Sequence, residues 1–292
     1  MRMTDDYEGE FWIEPVAGLG NRMQVLASAY FLSQKYHKKL CILWNNESHL
    51  AADFEDIFEA LPGVRVVKAT TDGYRAKPFL RIKSEWKRRK LSTKCGYAAY
   101  IDQWPRSMSQ EKLDAAVEDG VRNAKDVYVR SWRIFAPVYE RQEITLDFLK
   151  PSEKVQLRGK DVFERIDTNT VGVHIRRTDH ELAIADSPNE AFWKEMQKEI
   201  ETDGHCHFFL ATDDREVERE AVQRFGDKVL LKSNKSWGRR QRDGMLDACV
   251  ELWALSKCRK ILGSKGSTFG MIAAKLGNGR LEIVTKEQKD HV

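Results

Sequence analysis

The chain has 292 residues, 41% hydrophobic, which is enough to bury a sizeable core and argues against disorder as the main state. Lys and Arg total 49 against 45 Asp and Glu, so the net charge of +4 does not imply nucleic-acid binding and suits an anionic small ligand. Five cysteines, odd in number and without C-x-x-C spacing, argue against a disulfide framework and a structural zinc site.

The opening segment MRMTDDYEGEFWIEP has no apolar signal core, and no stretch reaches the roughly 18 apolar residues of a membrane helix. The expectation is a soluble, cytoplasmic chain with no membrane span. FWIEPV then reads as a strand, AGLGNR as a glycine turn, and residues 23–36 as a helix. KLCILW is a second strand, 54–61 a short helix ended by Pro62 and Gly63, and VRVVK a third strand. From 70 to 126 the pattern is irregular, apart from a helix near 110–117.

The second half is clearer. TVGVHIRRTD reads as a strand ending in charge, followed by a helix from about 187 with Pro188 in its first turn. HFFLATDD, KVLLK, RKILGS and LEIVT read as further strands. Between them lie the helices DREVEREAVQRF, GMLDACVELWALSKC and MIAAKLG, and the loops SNKSWGRRQRDG and KGSTFG. Strands and helices alternate, which predicts an α/β fold with parallel sheets. The alternation occurs twice, so the expected organisation is two Rossmann-like domains, 1–155 and 156–292, facing each other across a cleft. In such sheets ligands sit beyond the carboxyl ends of the strands.

In VGVHIRRTD, alternation places Val171, Val173 and Ile175 on one strand face and His174 and Arg176 on the other. A guanidinium fork matches phosphate oxygens, and two adjacent arginines at a strand end call for an anion or for carboxylates such as Asp179 and Asp213. Asp213 and Asp214 either orient Arg176 or Arg177 or cap the next helix. The run KSEWKRRK, residues 83–90, reads as a solvated face or an anion-binding surface. Trp86, Tyr97, Tyr100 and Trp104 are candidates for stacking on sugar rings, and spacing leaves both readings open.

HIRRTD resembles the H-x-R-R-x-D signature of the α1,6-, α1,2- and O-fucosyltransferases, closest to the α1,6 group that includes the nodulation fucosyltransferases. AGLGNRM, LATDD and GSKGSTFG stand in that family's order, and together the motifs span 18 to about 270. The resemblance implies a GT-B-type fold, GDP-fucose as donor with no other cofactor, metal-independent inverting transfer, and an oligosaccharide or glycoconjugate acceptor. It matches Arg176 to the arginine that contacts the donor's β-phosphate, and His174 to a residue near the guanine nucleotide. Ser267 and Thr268 match positions that touch the diphosphate, a role suited to a helix N-terminus. Gly18, Gly20, Asn21, Arg22, Arg177 and Asp213 are further donor-side candidates.

The α1,6 members place a guanine-binding Asp five residues ahead of the Ser of an L-S dipeptide, which here is Glu251, with Asp247 one turn earlier as an understudy. Some α1,6 relatives carry a catalytic Glu ten residues after the motif histidine; that place is Ile184, flanked by Glu181 and Asp186 as candidate bases. No D-x-D motif stands at a strand end, so no metal is expected. The competing readings are a GT-B transferase using another nucleotide sugar and a non-catalytic nucleotide- or glycan-binding homologue. A Rossmann oxidoreductase is poorly supported, because AGLGNR lacks the third glycine of a dinucleotide fingerprint.

Overall fold

The computed structural model describes residues 7–47, 49–68, 86, 89–90, 93–94, 97–100, 108–136, 138–178, 181–277 and 279–286. The chain divides into two compact units, Met1–Lys150 and Pro151–Val292.

The first unit runs β1 (Glu10–Pro15), α1 (Leu19–Lys35), β2 (Lys39–Trp44), α2 (Phe54–Ile57), β3 (Arg65–Lys68), β4 (Tyr97–Tyr100), α3 (Gln110–Asn123) and β5 (Val127–Ser131). Its strands form one parallel sheet in the order β3-β2-β1-β5-β4. β1 is buried on both faces, as a central parallel strand requires, which is why FWIEP reads as an apolar run rather than an alternation. Of its two carboxylates, the fully buried Glu14 accepts a 2.5 Å hydrogen bond from the Tyr128 hydroxyl of β5.

The expected helix at 23–36 begins earlier, at Leu19. Gly18 is extended at φ −74° and ψ 171° and serves as N-cap, so Gly20, Asn21 and Arg22 lie in the first helical turn rather than in a loop. α2 is a single turn, because Phe58 is already extended. Within the irregular stretch 70–126, the helix expected near 110–117 is present as α3 and runs on to Asn123, β4 is an additional strand, and β5 follows directly. Of the 83–90 run, Trp86 is 68% exposed, whereas most of its neighbours, and Trp104, lie outside the described residues.

The second unit runs α4 (Glu153–Phe163), β6 (Thr170–Ile175), α5 (Glu181–Asp186), α6 (Asn189–Thr202), β7 (His207–Thr212), α7 (Arg215–Phe225), β8 (Val229–Leu230), α8 (Arg242–Ser256), β9 (Lys260–Ser264), α9 (Thr268–Gly277) and β10 (Arg280–Val284). All strands are parallel, ordered β10-β9-β6-β7-β8. Val171, Val173 and Ile175 pack in one core cluster with Phe192, Trp193 and Phe208, as the alternation of β6 predicts. α4 and α5 were not legible from periodicity, and KVLLK contributes only Val229 and Leu230 to the sheet. α8 is buried on nearly all sides, which carries its acidic residues Asp247 and Glu251 into the interior. The strand order reverses between β6 and β9, and the carboxyl ends beside that switch point are where an open α/β sheet offers a ligand crevice. Among the described residues no helix is long and apolar enough to cross a membrane.

Candidate functional site

Beyond β6 the chain turns sharply, and Asp213, just past β7, organises the turn. Its Oδ1 accepts the Arg177 amide at 2.7 Å, and its Oδ2 accepts the Thr178 hydroxyl at 2.5 Å. The same Oδ2 lies 2.9 Å from Arg176 Nη1. The Arg176 amide donates to Ser264 Oγ of β9 at 3.0 Å, so the ends of β6 and β9 are tied together. Asp214 caps α7 by accepting from the Glu216 amide at 2.8 Å. Both roles weighed for this acidic pair are thus present, one on each residue.

A cavity of about 510 Å³ opens at this edge, lined by Arg176, Asp213, Lys235, Trp237, Arg240 and Glu251 among others. That volume lies within the roughly 300–1,000 Å³ of small-molecule sites. Glu251, 5% exposed, reaches it from α8. Burial pushes its carboxyl up to about 7, against the opposing pull of Lys235. Lys235 Nζ lies 2.6 Å from Glu251 Oε1, an ion pair off the line of a good hydrogen bond.

The loop before α8 was read in the sequence only as a polar connection, yet it supplies Lys235, Trp237, Arg239, Arg240 and Gln241 to the lining. Four cations interleaved with a tryptophan in SNKSWGRRQRDG were the available signal. Gly244, in the first turn of α8, lets this loop approach: a Cβ there would sit 2.3 Å from Gly238 O and 2.9 Å from Trp237 C. Alanine normally favours a helix interior by about 1 kcal/mol over glycine. Here the obstructing atoms are backbone, so overpacking at about 1–3 kcal/mol should dominate. Gly244→Ala is expected to lower the melting temperature and weaken ligand binding, as thermal melts and calorimetry would register; an unchanged affinity would count against the loop's role.

Several sequence-derived site residues stand elsewhere. His174 is 4% exposed and outside the cavity lining, stacked on Phe269 at 5.0 Å between centroids. Burial, reinforced by Arg176, pulls its pKa down to about 3, so it is a neutral packing group under the site. Arg177 is committed to the scaffold, donating to Asn189 Oδ1, the Arg176 carbonyl and the Ser187 carbonyl at 2.7, 2.7 and 2.8 Å. Arg22 is wholly buried and donates to the Ala17 and Asn45 carbonyls and to Glu47 Oε1 at 2.9, 2.6 and 2.9 Å. Those bonds brace Ala17, whose φ of 69° is uncommon for a residue with a Cβ. Asn21 Nδ2 donates to the Trp132 carbonyl at 2.9 Å. The Arg22 and Arg177 guanidinium groups thus serve carbonyls and side chains of the protein itself.

Ser267 and Thr268 lie outside the cavity lining; the Ser267 amide closes a turn onto Ser264 O at 3.2 Å, with Gly266 at φ 74°, and Thr268 opens α9. Asp247, the alternative to Glu251, is fully buried and bound by Arg158, Nε to Oδ1 at 2.6 Å and Nη2 to Oδ2 at 2.8 Å. Glu181 is exposed at the first position of α5. Asp186 pairs with Lys265 Nζ at 2.9 Å, and that contact holds its carboxyl below the usual range. Asp179 lies outside the described residues.

Two parallel Rossmann-like sheets with a cavity at the carboxyl edge of the second belong to the α/β class, of GT-B type. Among solved structures this fold is shared with fucosyltransferases. NodZ α-1,6-fucosyltransferase soaked with GDP-fucose aligns at a TM-score of 0.60 and 18% identity, over 92% of each chain. NodZ from Bradyrhizobium gives 0.59 and 17%, over 92% of this chain and 93% of that one. POFUT1 in complex with GDP gives 0.56 and 10%, over 97% and 99%. At these identities the likeness establishes the fold. No protein-family model matches the sequence, and no curated protein matches it.

Proposed function

We propose that the chain is a fucosyltransferase that moves L-fucose from GDP-fucose to a hydroxyl of a glycan acceptor, with inversion and without a metal. The observation that carries this reading is the cavity lined by both Arg176 and Glu251, in a fold shared with enzymes solved with GDP or GDP-fucose. A carboxylate accepts from the two N–H groups on guanine's edge, which assigns Glu251 to the base. Arg176, with Arg239 and Arg240 on the loop, supplies fixed positive charge for the diphosphate.

As the fucosyl–oxygen bond breaks, negative charge builds on the β-phosphate while the sugar becomes oxocarbenium-like. A guanidinium already held in place by Asp213 stabilises that charge without reorganising. The acceptor hydroxyl must lose its proton as it attacks. Of the two candidate bases Glu181 is the better, since its partner Lys265 makes Asp186 the weaker proton acceptor. Ile184, 41% exposed where some α1,6 relatives carry a glutamate, keeps a binding homologue as the second reading.

The test is incubation with GDP-fucose and an acceptor array, with products analysed by mass spectrometry, beside thermal-shift measurements with GDP, UDP and ADP. Fucosylated product with selective protection by GDP is expected. Equal protection by all three nucleotides sinks the donor assignment, and GDP protection without product on any acceptor sinks the transferase.

A further inference from the structure

We propose that Lys235 determines which nucleobase the cavity accepts, by keeping Glu251 an anion, so that the site takes a base presenting two N–H donors. This rests on the donor-nucleotide reading given above and adds to it a residue that the motif comparison does not reach.

The geometry separates Lys235 from the other cations of the site. Its side chain is 7% exposed, and Nζ lies 2.5 Å from the Thr212 carbonyl, 2.6 Å from Glu251 Oε1 and 3.0 Å from Glu218 Oε1. It also sits 4.1 Å from the Trp237 ring centroid. An ammonium has three N–H groups, and three oxygens and an aromatic face account for its charge. Although Lys235 lines the cavity, its ammonium is engaged by protein oxygens, and its route to the nucleobase runs through Glu251.

Glu251 needs that partner. Its Oε1 is buried without a well-formed hydrogen bond, and three further carboxylates stand around it: Glu218 from α7, Asp213 after β7, and Asp247 one turn earlier on α8. Asp247 is neutralised by Arg158 from α4, and Arg176, Arg239 and Arg240 line the same cavity. Without Lys235, burial, Glu218 and Asp247 all favour the protonated acid.

Protonation changes what the carboxyl recognises. A carboxylate accepts from N1–H and the 2-amino group of guanine. A carboxylic acid offers one donor and one acceptor, the pattern that complements N1 and the 6-amino group of adenine. The charge state of one buried group thus decides between two purines, and the ammonium beside it sets that state.

The experiment measures binding of GDP, ADP and inorganic pyrophosphate by calorimetry between about pH 6 and 9, on the full chain and on K235M, K235R and E251Q. In the unsubstituted chain the GDP-over-ADP preference should rise with pH through the titration of Glu251, by about tenfold per unit around its midpoint, because the anion selects guanine and the acid adenine. K235M should move that midpoint up by about one unit or more, losing about tenfold in preference near neutrality. Pyrophosphate affinity should stay unchanged, and K235R should restore the preference.

E251Q offers a donor and an acceptor at every pH, so its preference should be low and flat even if K235M proves too unstable to measure. A GDP-to-ADP ratio that K235M leaves unmoved overturns the proposal. So does an equal loss of pyrophosphate affinity in K235M, which would make Lys235 an anion ligand, or a pH-dependent ratio in E251Q. If the unsubstituted chain binds GDP, ADP and pyrophosphate alike, the nucleobase reading of the cavity fails on its own, independently of Lys235.

Discussion

Arg176→Ala is expected to lower kcat/KM for fucosyl transfer by about 1,000-fold, roughly 4 kcal/mol of transition-state stabilisation, while the protein stays folded. The disparity follows from the contacts. In the folded chain the guanidinium makes an ion pair with Asp213 in which both side chains keep more than a fifth of their surface exposed, 24% and 22%. Such a pair contributes about 1 kcal/mol at most to stability. Asp213 is not orphaned by the substitution, since the Arg177 amide and the Thr178 hydroxyl still donate to it. The same guanidinium faces a cavity in which, on the proposed mechanism, charge develops on a leaving diphosphate. Arg176→Lys keeps the charge but loses the planar fork, so it should recover only part of the rate. Single-turnover kinetics beside thermal melts decide the matter. Transfer within tenfold of the unsubstituted chain, or a collapse of the fold, would remove Arg176 from its assigned place.

How far the sequence could be read depends on where each residue's partners lie. β6 was legible because its neighbours along the chain carry the pattern: Val171, Val173 and Ile175 face one way, His174 the other. Glu251 was placed only by the family resemblance, counting back from Leu255-Ser256 along one helix. The arginines were not legible, because the charge is the same whichever way the side chain points. Arg22 is satisfied by Asn45 and Glu47, and Arg177 by Ser187 and Asn189, partners that meet them only through the fold. The loop carrying Lys235 and Trp237 has no periodicity to read; its position is fixed by the bare backbone of Gly244. Likewise α5 is a six-residue helix, too short for a period of 3.6 to declare itself.

The sharpest contrast lies between two carboxylates one turn apart on α8, and Asp247→Ala should separate them. Asp247 is fully buried, held by both nitrogens of an Arg158 fork, and it also accepts the Ser236 amide at 2.7 Å. Its burial alone would raise the carboxyl's pKa, but Arg158 and the Ser236 amide win and hold it below the ordinary value. Removing it leaves Arg158 with its longer, 3.2 Å contact to the exposed Asp243 and the loop amide without an acceptor, a loss of about 3 kcal/mol or more. Because the folded pKa is depressed, that contribution is complete above the unfolded value of about 4 and is lost as pH falls through the folded one. Denaturant titration should therefore show a large stability deficit for Asp247→Ala at neutral pH, shrinking toward acid. Glu251→Gln should behave in the opposite way, keeping an oxygen for Lys235 and so costing less stability than Asp247→Ala, and costing guanine recognition instead. A stable Asp247→Ala protein that had lost GDP binding, beside a Glu251→Gln protein that kept it, would exchange the roles of the two acids and move the base pocket one turn along the helix.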